Sequence, residues 1–159
     1  MSQYVNFFLR CEDKFIPLFS FSRNSYLYGA FHTDAPYGKI SAITSESLKN
    51  AQKILLDTIE TYQGRMASYV EEQRLIPSFN NSVEEKLIGL RDMDELISNV
   101  RDEMEELNVA LGYCSVMDDI LETAKYGEKV PVSTYNENSL LYCGIEIATP
   151  TLDDIEEDK

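Results

Sequence analysis

Apolar and polar positions along the chain change their period twice, and each change marks a new region. In residues 1–44 the period is two, as in Val5, Phe7 and Leu9, which is typical of a half-buried strand. We therefore expect strands at residues 4–11, 15–21 and 26–31, followed by a short apolar piece at 40–43. Pro17 lies inside the second of these, which favours an edge strand or a bulge there because proline donates no ladder hydrogen bond.

Residues 45–125 have the period of a helical hairpin instead. Two series of apolar positions advance in steps of three and four, which is the seam of a coiled coil. The first series is Leu55, Ile59, Tyr62, Met66, Tyr69, Gln73 and Ile76, in which the polar Gln73 is the one interruption. The second is Leu90, Met93, Ile97, Val100, Met104, Leu107, Leu111 and Cys114. A turn at 77–81 separates helix 45–76, with Thr44 or Ser45 as its cap, from helix 82–125, which Ser82 and Glu85 start as a capping box.

The two helices have unequal lengths, about 48 Å and about 66 Å at 1.5 Å per residue. The surplus falls at the end of the second helix, where the apolar stripe widens to several faces, and such a helix is buried on several sides. We therefore expect the sheet to pack at this base and the opposite end to project as an arm. Gly112 interrupts the wide stripe and is a candidate kink.

Strand signals return after residue 125. Residues 130–135 are consistent with a weak edge strand and 140–148 with a good one, which could pair with 4–11 or with 26–31. The acidic residues 151–159 are expected to form a flexible tail. The predicted fold is α+β: one domain over residues 1–150, with a long antiparallel, coiled-coil-like hairpin packed at its base on a small antiparallel sheet of N- and C-terminal strands.

Charge adds the first clue to function. The net charge is −14, with −8 in residues 82–125 and −4 in 150–159, so direct binding to nucleic acid or to an anionic membrane is not expected. Seven acidic residues flank the second seam: Asp92, Asp94, Glu95, Asp102, Glu103, Glu105 and Glu106. They are either a solvated helix face or a docking surface for a basic partner, on which lined-up carboxylates imitate duplex phosphates.

Candidate chemistry is sparse. Cys11, Cys114 and Cys143 are far apart and His32 is the only histidine, which gives no metal-ligand spacing and favours three reduced thiols in a cytoplasmic protein. The sequence has no phosphate loop, no nucleophile elbow and no complete EF-hand, so we expect no catalytic residue, cofactor or metal. Since no basic segment followed by an apolar run opens the chain, we also expect no secretory signal.

Two functions fit these features. The first is a non-enzymatic protein–protein interaction module, such as a phage or mobile-element accessory protein, which forms a homodimer through partly covered seam residues. Those residues are Tyr62, Met66, Tyr69, Leu90, Met93, Ile97 and Val100. The alternative is an inhibitor that mimics nucleic acid and occupies the basic cleft of a defence or replication protein. A small enzyme with a pocket near His32 is a weaker third hypothesis.

Overall fold

Four strands and three helices follow one another in a computed structural model of the chain, which describes residues 4–11, 14–31, 38, 40–126, 140–145 and 150–151. Their order is β1 (Tyr4–Cys11), β2 (Lys14–Ser22), α1 (Tyr26–Phe31), β3 (Ile40–Ile43), α2 (Ser45–Leu75), α3 (Val83–Tyr126) and β4 (Leu140–Ile145). A single 3₁₀ turn, Ile76–Ser78, follows α2. The predicted strand at 130–135 and the acidic tail from residue 152 onward lie outside the described residues.

The strands form one antiparallel sheet in the order β2-β1-β4-β3. The C-terminal strand β4 therefore lies between β1 and β3, which decides the question of its partners that the apolar pattern had left open. β2 is an edge strand, and its register with β1 shifts where Phe7 faces Phe19 and Phe8 faces Pro17. The structure confirms both roles expected of Pro17, since the strand is at the edge and the bulge adjoins it.

The strand expected at residues 26–31 is wrong, because this segment is the short helix α1. The Ser25 hydroxyl accepts a hydrogen bond from the Tyr28 amide at 3.3 Å, so a serine begins the helical turn. Leu27 and Ala30, three positions apart, are its buried residues, and α1 packs against both long helices. The strand preference of Tyr26, Tyr28 and Phe31 is overridden by tertiary packing.

The hairpin follows the sequence pattern closely. Thr44 caps α2 in a reciprocal box with Ser47, and the Ser82 hydroxyl accepts a hydrogen bond from the Glu85 amide at 3.2 Å at the start of α3. α3 runs unbroken through Gly112, so the glycine does not divide the helix. At 1.5 Å per residue, α3 is about 20 Å longer than α2.

The main core lies where one face of the sheet covers the base of the hairpin. Val5, Phe7 and Leu9 of β1 and Leu141 and Cys143 of β4 supply the sheet side. The helices contribute a larger set: Leu48, Ala51, Leu55, Ile59, Leu107, Ala110, Cys114, Met117 and Ile120. The expected packing of the sheet at the base is confirmed. A smaller cluster of Phe8, Ile40 and Tyr142 is buried apart from this core.

Candidate interaction surfaces

The seven acidic residues predicted to flank the second seam do not form one uniform face. Six of them are exposed, whereas Glu103 is half-buried. Asp94 accepts a hydrogen bond from the Gln73 side chain of α2 at 2.6 Å, and Glu103 accepts one from the Tyr26 hydroxyl of α1. Two carboxylates therefore connect elements of the fold. The other five are Asp92, Glu95, Asp102, Glu105 and Glu106.

Tyr26 connects α1 to both long helices. Its hydroxyl donates to Glu103 on α3 and lies 3.2 Å from the Tyr62 hydroxyl on α2. Burial raises the pKa of Tyr26, and the hydrogen bond to Glu103 raises it further. Arg65 lies over the Tyr62 ring, 5.0 Å from its centroid. The Tyr26–Tyr62 pair therefore lies between the Glu103 carboxylate and the Arg65 guanidinium group, and it attaches α1 to both helices of the hairpin.

Gln73, the polar interruption of the first seam, links the two helices of the arm. Its side-chain amide donates to the Leu90 carbonyl at 3.3 Å as well as to Asp94. A polar residue at a seam position favours the one register in which its hydrogen bonds form. Gln73 therefore specifies the alignment of α2 with α3 near the tip of the arm.

The seam residues expected to mediate self-association are covered to different degrees. Met93, Ile97 and Val100 are buried within the hairpin itself, although all three were expected to be only partly covered. The remaining four, Tyr62, Met66, Tyr69 and Leu90, are half-buried. The two helices thus cover most of their own seam, which leaves little of it for a second copy.

An exposed apolar surface lies instead at the tip of the arm. Val83, Leu87 and Ile88, hereafter the tip patch, line a shallow depression with Glu84 and Arg91. Val83 and Leu87 are 74% and 62% exposed, and Phe79 in the adjoining turn is also exposed. Sequence analysis missed this surface, although Leu87 and Ile88 are apolar residues outside the heptad series, which was an available signal.

A groove of about 700 Å³ lies between α3 and the turn that leads from β2 into α1. Phe21, Leu27, Val109 and Ala110 give it an apolar lining, and three of the predicted acidic residues line it as well: Asp102, Glu105 and Glu106. The ring of Phe21 is fixed by an edge-on contact with Tyr113, with centroids 4.5 Å apart. Sequence alone could not find this groove, because residues 26–31 were expected to be a strand.

The cysteines behave as buried apolar side chains where they are described. Cys114 and Cys143 lie in the main core, and burial raises the pKa of the Cys114 thiol to about 11, so it stays protonated at neutral pH. The side chain of Cys11 and the whole of His32 lie outside the described residues. Among the residues that are described, no three histidine, cysteine or carboxylate side chains are grouped to hold a metal.

These features define an α+β protein with a long helical-hairpin arm, a small antiparallel sheet at its base, an apolar tip and an acidic groove. Comparison with protein families, with curated proteins and with solved structures gave no match. In the described part of the chain, no helix combines the length and apolar character that a membrane span requires.

Proposed function

We propose that the protein is a non-enzymatic protein–protein interaction module that self-associates through the tip of its hairpin arm. The observation that carries this proposal is the exposure of the tip patch, Val83, Leu87 and Ile88, at the end of the arm farthest from the sheet. Large apolar side chains grouped on a protein surface are typical of interaction sites.

Charge favours a second copy as the occupant of the tip. The whole chain has a net charge of −14, so two copies repel each other over most of their surfaces. Residues 75–91 have two basic and two acidic side chains and hence no net charge. Two arms can therefore meet tip to tip, bury apolar surface and keep their acidic segments apart.

Sedimentation velocity at low and high micromolar concentration tests this proposal. We expect the wild-type chain to gain mass with concentration and the double variant Val83→Glu, Leu87→Glu to remain monomeric. A control with the same added charge is Leu56→Glu, Val116→Glu, which replaces two exposed residues near the base and should associate like the wild type. A wild-type chain that stays monomeric at every concentration contradicts the proposal.

The second candidate is an inhibitor that mimics nucleic acid. It is favoured by five exposed acidic residues of α3 that form no hydrogen bond within the described part of the chain: Asp92, Glu95, Asp102, Glu105 and Glu106. It has less support, since Asp94 and Glu103 are engaged by α2 and α1 rather than presented in a regular row. This candidate predicts complexes with basic proteins that dissociate as salt increases. They should also fail to form after charge reversal at four positions: Asp102, Glu103, Glu105 and Glu106. Complexes that survive both changes would eliminate it.

A further inference from the structure

The groove between α3 and the β2–α1 turn combines carboxylates with apolar side chains. Glu105 and Glu106 lie three and four residues after Asp102 on α3, so both are neighbours of Asp102 on the helix surface. Phe21 at the end of β2 and the exposed Val109 of α3 supply the accessible apolar lining. At about 700 Å³ the groove is in the range of about 300 to 1,000 Å³ that is usual for ligand sites.

The carboxylates of the groove have no partner within the described part of the chain. None of the three forms a hydrogen bond or ion pair there, in contrast to neighbouring Glu103, which Tyr26 engages. The turn itself contains Arg23, but its exposed side chain does not line the groove. Negative charge in a concave surface with apolar walls concentrates the electrostatic potential, which favours a cationic occupant.

The groove is also held in place before any ligand binds. Tyr26, which lines it, is fixed to Glu103 and Tyr62, and these contacts join α1 to both long helices. Phe21 at the end of β2 is fixed by its contact with Tyr113 of α3. A site with a preformed shape loses less conformational entropy when a ligand binds, which favours recognition of a short segment.

We infer that this groove binds a short, extended segment of a partner protein in which arginine alternates with apolar residues. Successive side chains of an extended segment point to opposite sides, so arginines meet the three carboxylates while the apolar residues between them meet Phe21 and Val109. Arginines two positions apart are separated by about 6.6 Å, close to the roughly 5 to 6 Å between neighbouring helix positions. Arginine suits this site better than lysine because its guanidinium group binds a carboxylate through two hydrogen bonds.

Other occupants fit the groove less well. A second copy of this chain is strongly acidic, and a nucleic acid or anionic lipid would be repelled by the three carboxylates. This inference goes beyond the proposed self-association, because the groove does not include the tip patch. The two proposals therefore succeed or fail independently.

The test measures fluorescence anisotropy of a labelled peptide that alternates arginine and leucine. Two triple variants remove the same charge from exposed positions of α3. The groove variant is Asp102→Asn, Glu105→Gln, Glu106→Gln, and the control is Glu84→Gln, Asp92→Asn, Glu95→Gln. We expect the groove variant to weaken binding about tenfold, since each of three exposed ion pairs contributes a factor of about two to three. The control should change affinity by less than about twofold, because its charges are remote from the peptide.

A second pair of variants tests the apolar lining. Val109 and Val116 are both about half exposed and lie two turns apart on α3, but only Val109 lines the groove. Val109→Gln should weaken binding several-fold while Val116→Gln leaves it unchanged, and a peptide with serine in place of leucine should bind less tightly.

Three results would overturn the inference. The wild-type chain could fail to bind the peptide, or both triple variants could weaken binding equally, which would show attraction by net charge alone. The serine peptide could also bind as tightly as the leucine peptide, which would remove the role of the apolar wall. The tip variant Val83→Glu, Leu87→Glu should bind the peptide like the wild type, which separates this result from the test of self-association.

Discussion

At the scale of single residues, the side chain of Tyr26 connects α1 to both long helices. Its ring is half-buried where α1 meets α2 and α3, and its hydroxyl donates to Glu103 and adjoins Tyr62. A buried polar group is costly unless it is hydrogen-bonded, and Glu103 is half-buried beside it. The contact therefore stabilises the attachment of α1 through both partners.

Replacing Tyr26 with phenylalanine keeps the ring and removes the hydroxyl. We expect the free energy of unfolding at neutral pH to fall by about 1 to 2 kcal/mol, because Glu103 loses its hydrogen bond. Denaturant titration measures the change. Tyr69→Phe, at a half-buried position on α2, is the matched control and should have little effect. Equal losses in both variants would contradict the role assigned to the Tyr26 hydroxyl.

The raised pKa of Tyr26 has a consequence at alkaline pH. Below about pH 10 the hydroxyl is protonated in both the folded and the unfolded chain. Above it the unfolded tyrosine ionises while burial and Glu103 keep the folded one protonated, so stability decreases as pH rises. Repeating the titrations from pH 8 to pH 11 should show a steeper decrease in the wild type than in Tyr26→Phe. Cys114, whose pKa is also raised, is present in both proteins and affects them equally. Parallel plots of stability against pH for the two proteins would therefore show that Tyr26 is not responsible for the decrease.

At the scale of secondary structure elements, α3 tolerates a glycine in its interior. Gly112 is exposed, and a Cβ placed there would meet nothing within 4 Å. The helix remains continuous because Met117 and Ile120 beyond the glycine pack into the main core. Tertiary burial thus offsets the weak helix preference of a single residue.

Gly112→Ala should stabilise the protein by about 1 kcal/mol, since alanine loses less backbone entropy on forming a helix. Gly38→Ala is the informative contrast. Gly38 has a φ of +83°, where an L-residue is strained by about 1 to 2 kcal/mol, so the same substitution should destabilise. Thermal or chemical unfolding shows whether each substitution raises or lowers the free energy of unfolding. A destabilising Gly112→Ala would show that α3 needs flexibility at this position.

At the scale of the whole molecule, burial is concentrated at the base of the hairpin and decreases toward the tip. Leu48, Leu107 and Met117 near the sheet are almost completely buried, whereas Val83 and Leu87 at the tip are mostly exposed. Since the stability of a helix in water comes mainly from packing of its apolar face, the base supports the arm. The tip is held chiefly by the narrow seam and by Gln73.

Truncation of side chains should reproduce this gradient. We expect Met117→Ala to lower the free energy of unfolding by about 2 to 5 kcal/mol, because it opens a cavity in the core. Leu87→Ala should change it by no more than about 0.5 kcal/mol, as is usual for exposed positions. Chemical denaturation measures both. A large loss for Leu87→Ala in the monomer would mean that the tip contributes to the fold rather than to binding.

The sequence by itself determined the features that depend on short spacings. The heptad steps from Leu55 to Ile76 and from Leu90 to Cys114 are repeated many times, so the hairpin followed from them with nearly correct ends. Capping by Thr44 and Ser82 and the bulge beside Pro17 are local effects of one or two side chains. Such signals are readable because the interacting residues are near neighbours in the chain.

Only the tertiary structure decided the features that depend on contacts between distant segments. Helix α1 forms because Leu27 and Ala30 are buried against both long helices, which overrides the strand preference of its aromatic residues. The pairing of β4 with β1 and β3, the groove beside Asp102 and the exposure of Val83 likewise depend on how the elements pack. These contacts join residues that are far apart in the chain, so no pattern within a short stretch of sequence indicates which residues will meet.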